Sequence, residues 1–98
     1  EDLMVHEQTH EKQQKVYGVN DWWVMYLEKP AFRLSQEVEA YREQYQFVKT
    51  KYSRQVRRAL LQQMAKTLSS KLYGNIINKQ EAQDLIENDP SKTSDLET

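Results

Sequence analysis

The sequence predicts a small all-α protein that is compact and mainly helical, with little or no sheet. Apolar residues recur at intervals of three and four in several long segments, and nothing alternates as a half-buried strand does. Of 98 residues, 38% are hydrophobic and 30% are charged, which fits one soluble domain whose helices each turn a narrow apolar stripe inward. We expect this domain to cover residues 1–87, followed by a disordered Ser/Thr/Asp-rich tail at residues 88–98.

The first helix is predicted from about Glu1 to Val16, because this segment is rich in Glu, Gln and Lys and contains no Gly or Pro. Apolar residues also lie outside the main face of this helix, the face that includes Leu3 and Tyr17; among them are Met4 and Val16. Their positions predict that the helix packs on more than one flank.

A turn near Gly18 precedes a short aromatic helix over Trp22–Leu27, for which Asp21 is the predicted N-cap. Pro30 ends or interrupts this helix. Two adjacent tryptophans cannot face the same side of one helix. We therefore expect one of them in the core and the other in a cleft or on a contact surface.

A third helix is predicted from Ala31 or Ser35 to about Thr50. Its apolar stripe consists of Leu34, Val38, Tyr41, Tyr45 and Val48. At about 100° per residue, Glu37 lies about 60° from the centre of this stripe and Glu39 about 140° from it. Glu37 is therefore expected to border the interior, whereas Glu39 is expected to face solvent.

Two more helices complete the predicted fold. Ser53 is the expected N-cap of a helix that runs to about Leu72 and ends at Gly74. The segment 78–81 reads Asn-Lys-Gln-Glu and resembles a capping box, which opens a short helix ending near Glu87.

Residues 6–10 read His-Glu-Gln-Thr-His and carry the clearest chemical signal in the chain. On a helix, His6 and His10 lie one turn apart on one face, where both imidazoles can bind the same metal ion. Glu7 lies beside them and can reach a water molecule at that metal. This is the H-E-x-x-H pattern of zinc sites.

A catalytic zinc site needs three protein ligands, so the two histidines require one more. The chain has no cysteine and no third histidine, and the remaining ligand is therefore expected to be a carboxylate. Glu37 is the best candidate because it lies on a separate helix, 27 residues after His10, at the edge of the face that packs toward the protein interior. Glu39, Glu28 and Glu43 remain as alternatives.

The segment 6–10, followed by Glu-Val-Glu-Ala-Tyr at 37–41, resembles the gluzincin class of zinc metallopeptidases, in which a Glu on a later helix completes H-E-x-x-H. The likeness covers about residues 4 to 45. With Trp22-Trp23 and Phe32-Arg33-Leu34, the pattern is also similar to small uncharacterised peptidase-like proteins encoded by tailed phages. The resemblance implies a zincin-like domain in which the H-E-x-x-H helix packs on the Glu-bearing helix.

By this resemblance His6, His10 and Glu37 are zinc ligands and Glu7 is the general base. Tyr41 departs from the pattern, because many such families place there an Asp that supports the site by a hydrogen bond. A strand and a helix usually precede the motif in an intact domain, so we expect that the chain lacks an N-terminal part.

The implied activity is zinc-dependent hydrolysis of peptide bonds, in which zinc activates a water molecule and Glu7 accepts its proton. An additional group normally stabilises the oxyanion. Four residues are candidates for this or for contact with the substrate, and the sequence does not choose among them: Tyr26, Arg33, Tyr41 and Tyr45.

The expected partner is a peptide or protein substrate, with zinc as the cofactor. A net charge of −1 and the lack of any apolar run near the length of a membrane span argue against nucleic-acid and membrane partners. A basic cluster is interpreted as a solvated face; it comprises Lys49, Lys51, Arg54, Arg57 and Arg58. The sequence leaves the compartment open; a phage-encoded protein would be soluble in the host cytoplasm or part of the virion.

Two alternatives remain. One is a structural or interaction protein, such as a phage particle component within a larger assembly, that retains a zincin scaffold with little or no turnover. The other is a zinc site with a purely structural role, although closed structural sites use four protein ligands and commonly Cys.

Overall fold

Five α-helices make up the part of the chain that the computed structural model describes, residues 2–70 and 77–87. They are α1 (Asp2–Tyr17), α2 (Val19–Glu28), α3 (Pro30–Lys51), α4 (Arg54–Leu68) and α5 (Lys79–Glu87). No strand occurs in these two ranges, and the all-α prediction is confirmed. The predicted helix cap at Gly74 and the predicted tail at residues 88–98 lie outside them.

Helix α3 is central and packs against each of the other four helices. Pro30 occupies its first turn, where a missing N–H costs nothing. The predicted apolar stripe of α3 is confirmed: its residues pack with α4 and α5. The buried core cluster comprises Val38, Tyr45, Val48, Leu61, Met64, Ala65, Leu68, Ala82 and Ile86.

The caps of α4 and α5 agree with the sequence. The Ser53 hydroxyl accepts a hydrogen bond from the Val56 N–H at 3.4 Å, and Asn78 and Glu81 form a reciprocal capping box with bonds of 2.8 and 3.0 Å. The predicted end of α4 at Leu72 is wrong, because the helix ends at Leu68. The hydroxyl of Ser69 there donates to the Lys66 carbonyl at 3.2 Å, an interaction that competes with helix continuation.

Helix α2 begins three residues earlier than predicted. Gly18 adopts φ 85°, which a glycine tolerates, and its carbonyl accepts the Trp22 N–H at 2.9 Å. Asp21 therefore lies in the first turn and is not the N-cap, contrary to the prediction. The two tryptophans separate as expected, with Trp22 1% exposed and Trp23 45% exposed.

Helix α1 packs mainly on α3 and buries polar side chains: His6, Thr9 and Gln13. It also contacts α2, but Met4 and Val16, on which the prediction of a second packed flank was based, are exposed. The sector that α1 turns to α3 is polar, so the apolar residues outside this sector are left facing solvent.

Across residues 2–70 and 77–87, none of the helices combines the length and apolar character that a membrane span requires. The basic cluster at the junction of α3 and α4 lies on the surface, with Arg57 partly covered and its other members exposed.

Candidate metal centre

Three potential metal ligands meet where α1 crosses α3. His6 and His10 lie one turn apart on the face of α1 that packs on α3, and Glu37 faces them from α3. Glu37 is 3% exposed, whereas Glu39, two residues later, is exposed. The helical period therefore distinguished the inward glutamate from the outward one.

The ligand atoms of these side chains lie very close together. Nε2 of His6 is 3.0 Å from Oε1 of Glu37 and 3.2 Å from Nε2 of His10. Nε2 of His10 is 3.2 Å from Oε2 and 3.3 Å from Oε1 of the same carboxylate. The three residues offer one ligand atom each within 4.8 Å of one another.

These separations have the size that a tetrahedral zinc site requires. Zinc binds imidazole nitrogen and carboxylate oxygen at about 2.0–2.1 Å, so neighbouring ligand atoms lie about 3.3 Å apart. The three residues supply two nitrogens and one carboxylate group, a donor set found in catalytic zinc sites. The group therefore fits zinc in both geometry and chemistry.

An amide orients the His6 ring. Nδ1 of His6 lies 3.0 Å from Oε1 of Gln44, and Nε2 of Gln44 donates to the Asp2 carboxylate at 2.6 Å. Because Nε2 of Gln44 donates to Asp2, Oε1 of Gln44 is the atom that faces the imidazole. Nδ1 of His6 therefore carries the proton and donates a hydrogen bond to Oε1 of Gln44.

A second amide does the same for His10. Nδ1 of His10 lies 2.8 Å from Oε1 of Gln13, and Nε2 of Gln13 donates to the Gln36 carbonyl at 2.9 Å and to Glu39 at 2.7 Å. The orientation of Gln13 is again determined by its nitrogen, so Nδ1 of His10 is a donor.

These two hydrogen bonds determine what the other side of each ring presents to Glu37. A neutral imidazole that donates through Nδ1 has a lone pair on Nε2. Two lone pairs and a carboxylate then face one another in a buried space, which is unfavourable unless a proton or a cation lies among them. Burial alone would lower the pKa of His10, but interactions with Glu37 and Gln13 outweigh burial and the pKa lies above its usual value. Zinc would replace the proton that His10 takes up under this influence.

Tyr26 of α2 contacts the same carboxylate. Its hydroxyl donates to Oε2 of Glu37 at 2.7 Å. Burial alone would raise the pKa of Glu37, but the two imidazoles and this hydrogen bond outweigh burial and hold the pKa at about 2. Burial and the adjacent carboxylate raise the pKa of Tyr26, so its hydroxyl keeps its proton. Arg33 donates to the Tyr26 carbonyl at 2.9 Å, and its guanidinium lies 5.9 Å from the centre of the Tyr26 ring.

A cleft of about 280 Å³ opens onto the cluster. Glu7 is exposed at this cleft and is not one of the three clustered ligands. The opposite wall is aromatic and consists of Trp22, Trp23 and Tyr26. Glu7 is therefore placed to contact a molecule bound at the cluster.

The four candidates for oxyanion or substrate contact occupy different environments. Tyr26 lines the cleft, whereas Arg33 donates to the Tyr26 carbonyl and is not among the lining residues. Tyr41 packs edge-on against the His6 ring at 4.6 Å between ring centres. Tyr45 lies in the apolar core between α3, α4 and α5 and lines a separate cavity with Arg57 and Arg58. The structure does not bring Tyr45 to the cleft.

Sequence reasoning missed the two amides that orient the histidines. Gln13 follows His10 by three residues on α1, and Gln44 follows Glu37 by seven residues, or two turns, on α3. The helical spacing from His10 and Glu37 could have identified both glutamines. This chain is rich in glutamine, however, and glutamine side chains in proteins are mostly exposed. Polar support for the His6 ring comes from Gln44, whereas Tyr41 packs edge-on against that ring.

Comparisons of the chain with models of known protein families, with curated proteins and with solved structures gave no match. The assignment of a function therefore rests on the chemistry of this site.

Proposed function

We propose that the protein is a zinc-dependent peptidase of the gluzincin type, built on a zincin-like helical domain. The observation that carries this proposal is the convergence of two imidazole nitrogens and one carboxylate at the separations of a zinc site, with a further carboxylate beside them. His6, His10 and Glu37 would hold the ion. Three protein ligands leave a coordination position open to water or substrate, as in catalytic sites.

Zinc in this position would supply a Lewis acid that polarises the scissile carbonyl and lowers the pKa of water. Glu7 then accepts a proton from the attacking water and delivers it to the nitrogen of the leaving amine. Tyr26 is protonated and hydrogen-bonded to Glu37 at the edge of the same cleft. Of the candidates for oxyanion stabilisation it has the strongest support, because it is the one that lines the cleft. Its hydroxyl would move its hydrogen bond from Glu37 to the oxygen that develops negative charge.

Metal content is the first test. The protein is loaded with zinc, passed through a desalting column and analysed by elemental mass spectrometry, together with Glu37→Ala and a matched control, Glu43→Ala. We expect about one zinc per chain for the parent and Glu43→Ala, and strongly reduced zinc for Glu37→Ala. A folded parent chain that retains no zinc would contradict the proposal.

Hydrolysis is the second test. The zinc-loaded parent is incubated with a peptide mixture, and products are identified by mass spectrometry. Glu7→Gln should retain zinc and lose activity by about 10²- to 10⁴-fold, the usual contribution of a general base. Glu11→Gln, one turn later on α1 and also exposed, is the matched control and should remain active.

A non-catalytic interaction protein is the competing proposal. The observation that favours it is an exposed apolar face on α2, formed by Trp23, Val24 and Leu27. Such a face suits contact with another protein. Under this alternative the parent binds zinc and cleaves no peptide, and Glu7→Gln behaves like the parent.

A further inference from the structure

A second cavity shares a wall with the candidate catalytic cleft. It has a volume of about 380 Å³ and lies between α1, α3 and α4. His6 and Glu7 line both cavities. The cleft described above extends from these two residues toward α2, whereas this second cavity extends toward α4.

One stripe of α4 forms the far wall of the second cavity. Leu60, Gln63, Met64 and Thr67 follow the helical i, i+3, i+4, i+7 spacing and line it together. Leu60 and Met64 also pack in the apolar core, which holds this wall in place.

The remaining walls make the cavity largely apolar. Leu3 comes from α1 and Tyr41 from α3, where the Tyr41 ring also packs against His6. The carboxylate of Asp2 reaches the cavity but accepts a hydrogen bond from Gln44 at 2.6 Å. Glu7 and Asp2 are the charged residues among the lining set, so an acidic side chain would meet both repulsion and a desolvation cost.

A peptide bound for cleavage extends on both sides of the scissile bond and needs room for a side chain on each side. The two cavities meet at His6 and Glu7, which supply a candidate ligand and the candidate base. We propose, on the basis of the function proposed above, that the cavity between α1, α3 and α4 binds a large aliphatic side chain, such as Leu or Met, of a residue flanking the scissile bond. This cavity would then select the cleavage site.

The test uses Gln63, which lines the cavity but is exposed, so that its substitution leaves the core intact. The variants are Gln63→Lys and the matched control Gln62→Lys, which changes the charge equally at an exposed position outside the lining set. Peptides randomised at both positions flanking one bond identify the preferred residues, and kcat/KM is then measured for a Leu peptide and a Glu peptide at the selected position.

We expect the parent to prefer large aliphatic residues at one flanking position. The Leu-to-Glu ratio of kcat/KM should fall about fivefold in Gln63→Lys, because a lysine at the cavity mouth attracts the acidic side chain at the strength of a partly exposed ion pair. The ratio should stay unchanged in Gln62→Lys. A parent without preference at either flanking position, or equal ratios in the two lysine variants, would overturn the assignment of this cavity.

A binding measurement separates this inference from the proposed function. Calorimetry with the zinc-loaded Glu7→Gln chain measures affinity for the same Leu and Glu peptides without turnover. One outcome has three parts: the Leu peptide binds more tightly than the Glu peptide, Gln63→Lys in this background reduces the difference in affinity, and the parent cleaves no peptide. This outcome supports the aliphatic pocket and shows that the peptidase proposal is wrong. If the parent cleaves peptides while its flanking residues and Gln63→Lys have no effect, the peptidase proposal stands and the pocket assignment is wrong.

Discussion

Replacement of Gln13 by Leu tests whether its amide orients the candidate ligand His10. Gln13 is 5% exposed and accepts the Nδ1 proton of His10 at 2.8 Å while donating to the Gln36 carbonyl and to Glu39. Leu has nearly the same volume and removes all three hydrogen bonds. The imidazole N–H of His10 then loses its acceptor, and the ring loses the contact that turns Nε2 toward Glu37.

The expected loss has two parts. Removal of a hydrogen bond that orients a metal-binding histidine typically lowers metal affinity about 10- to 100-fold. A buried polar group left without its partner costs about 1–3 kcal/mol, and the extra apolar burial of Leu offsets this cost in part. The free energy of unfolding of the metal-free protein should therefore fall by about 2 kcal/mol.

The assays are competition for zinc with a chromogenic chelator and urea unfolding in EDTA. Gln8→Leu is the matched control, since it lies on the same helix at an exposed position. It should leave zinc affinity unchanged. A folded Gln13→Leu chain whose zinc Kd stays within about twofold of the parent value would refute the orienting role of Gln13, because 10-fold is the smallest effect expected.

Three further predictions concern stability. Free zinc at 100 times its Kd should stabilise the parent by about 2.7 kcal/mol, measured by thermal unfolding, and His10→Ala should remove this gain. Equal stabilisation of both chains would show that zinc binds elsewhere. Leu61→Ala opens a cavity at a residue 1% exposed in the core cluster and should cost about 2–5 kcal/mol by urea unfolding, while the folded fraction still binds zinc. Gly18→Ala meets no atom within 4 Å but forces alanine to φ 85°, so a loss of about 1 kcal/mol is expected, and an unchanged midpoint would argue against strain at this cap.

Helical periodicity predicted the part of the structure that depends on one helix at a time. The stripe of α3 packs as expected, and about 160° of rotation between Glu37 and Glu39 separated the buried carboxylate from the exposed one. The reciprocal cap of α5 was also evident, because Asn78 and Glu81 act within a single turn. These features need no knowledge of neighbouring helices.

Features that depend on two helices were harder to predict. Gln13 and Gln44 resemble surface glutamines until α1 is placed against α3, and Met4 gives no sign by itself that its side of α1 remains uncovered. The early start of α2 had a local cause, since the φ of Gly18 moved the N-cap upstream of Asp21. The ligand role of the three clustered residues and the catalytic role of Glu7 stay predictions.

The polar docking of α1 affects the order in which the molecule assembles. The apolar driving force for folding lies in the cluster shared by α3, α4 and α5, whereas α1 attaches to α3 through directional bonds made by His6, His10 and Gln13. Such a segment opens at lower free energy than the core, so its amide hydrogens should exchange earlier than those of α3. Two of the three candidate ligands lie on this late-docking segment. A partly folded chain therefore lacks the assembled group of candidate ligands, and metal binding at this group would mark the final step of folding, when α1 reaches its register on α3.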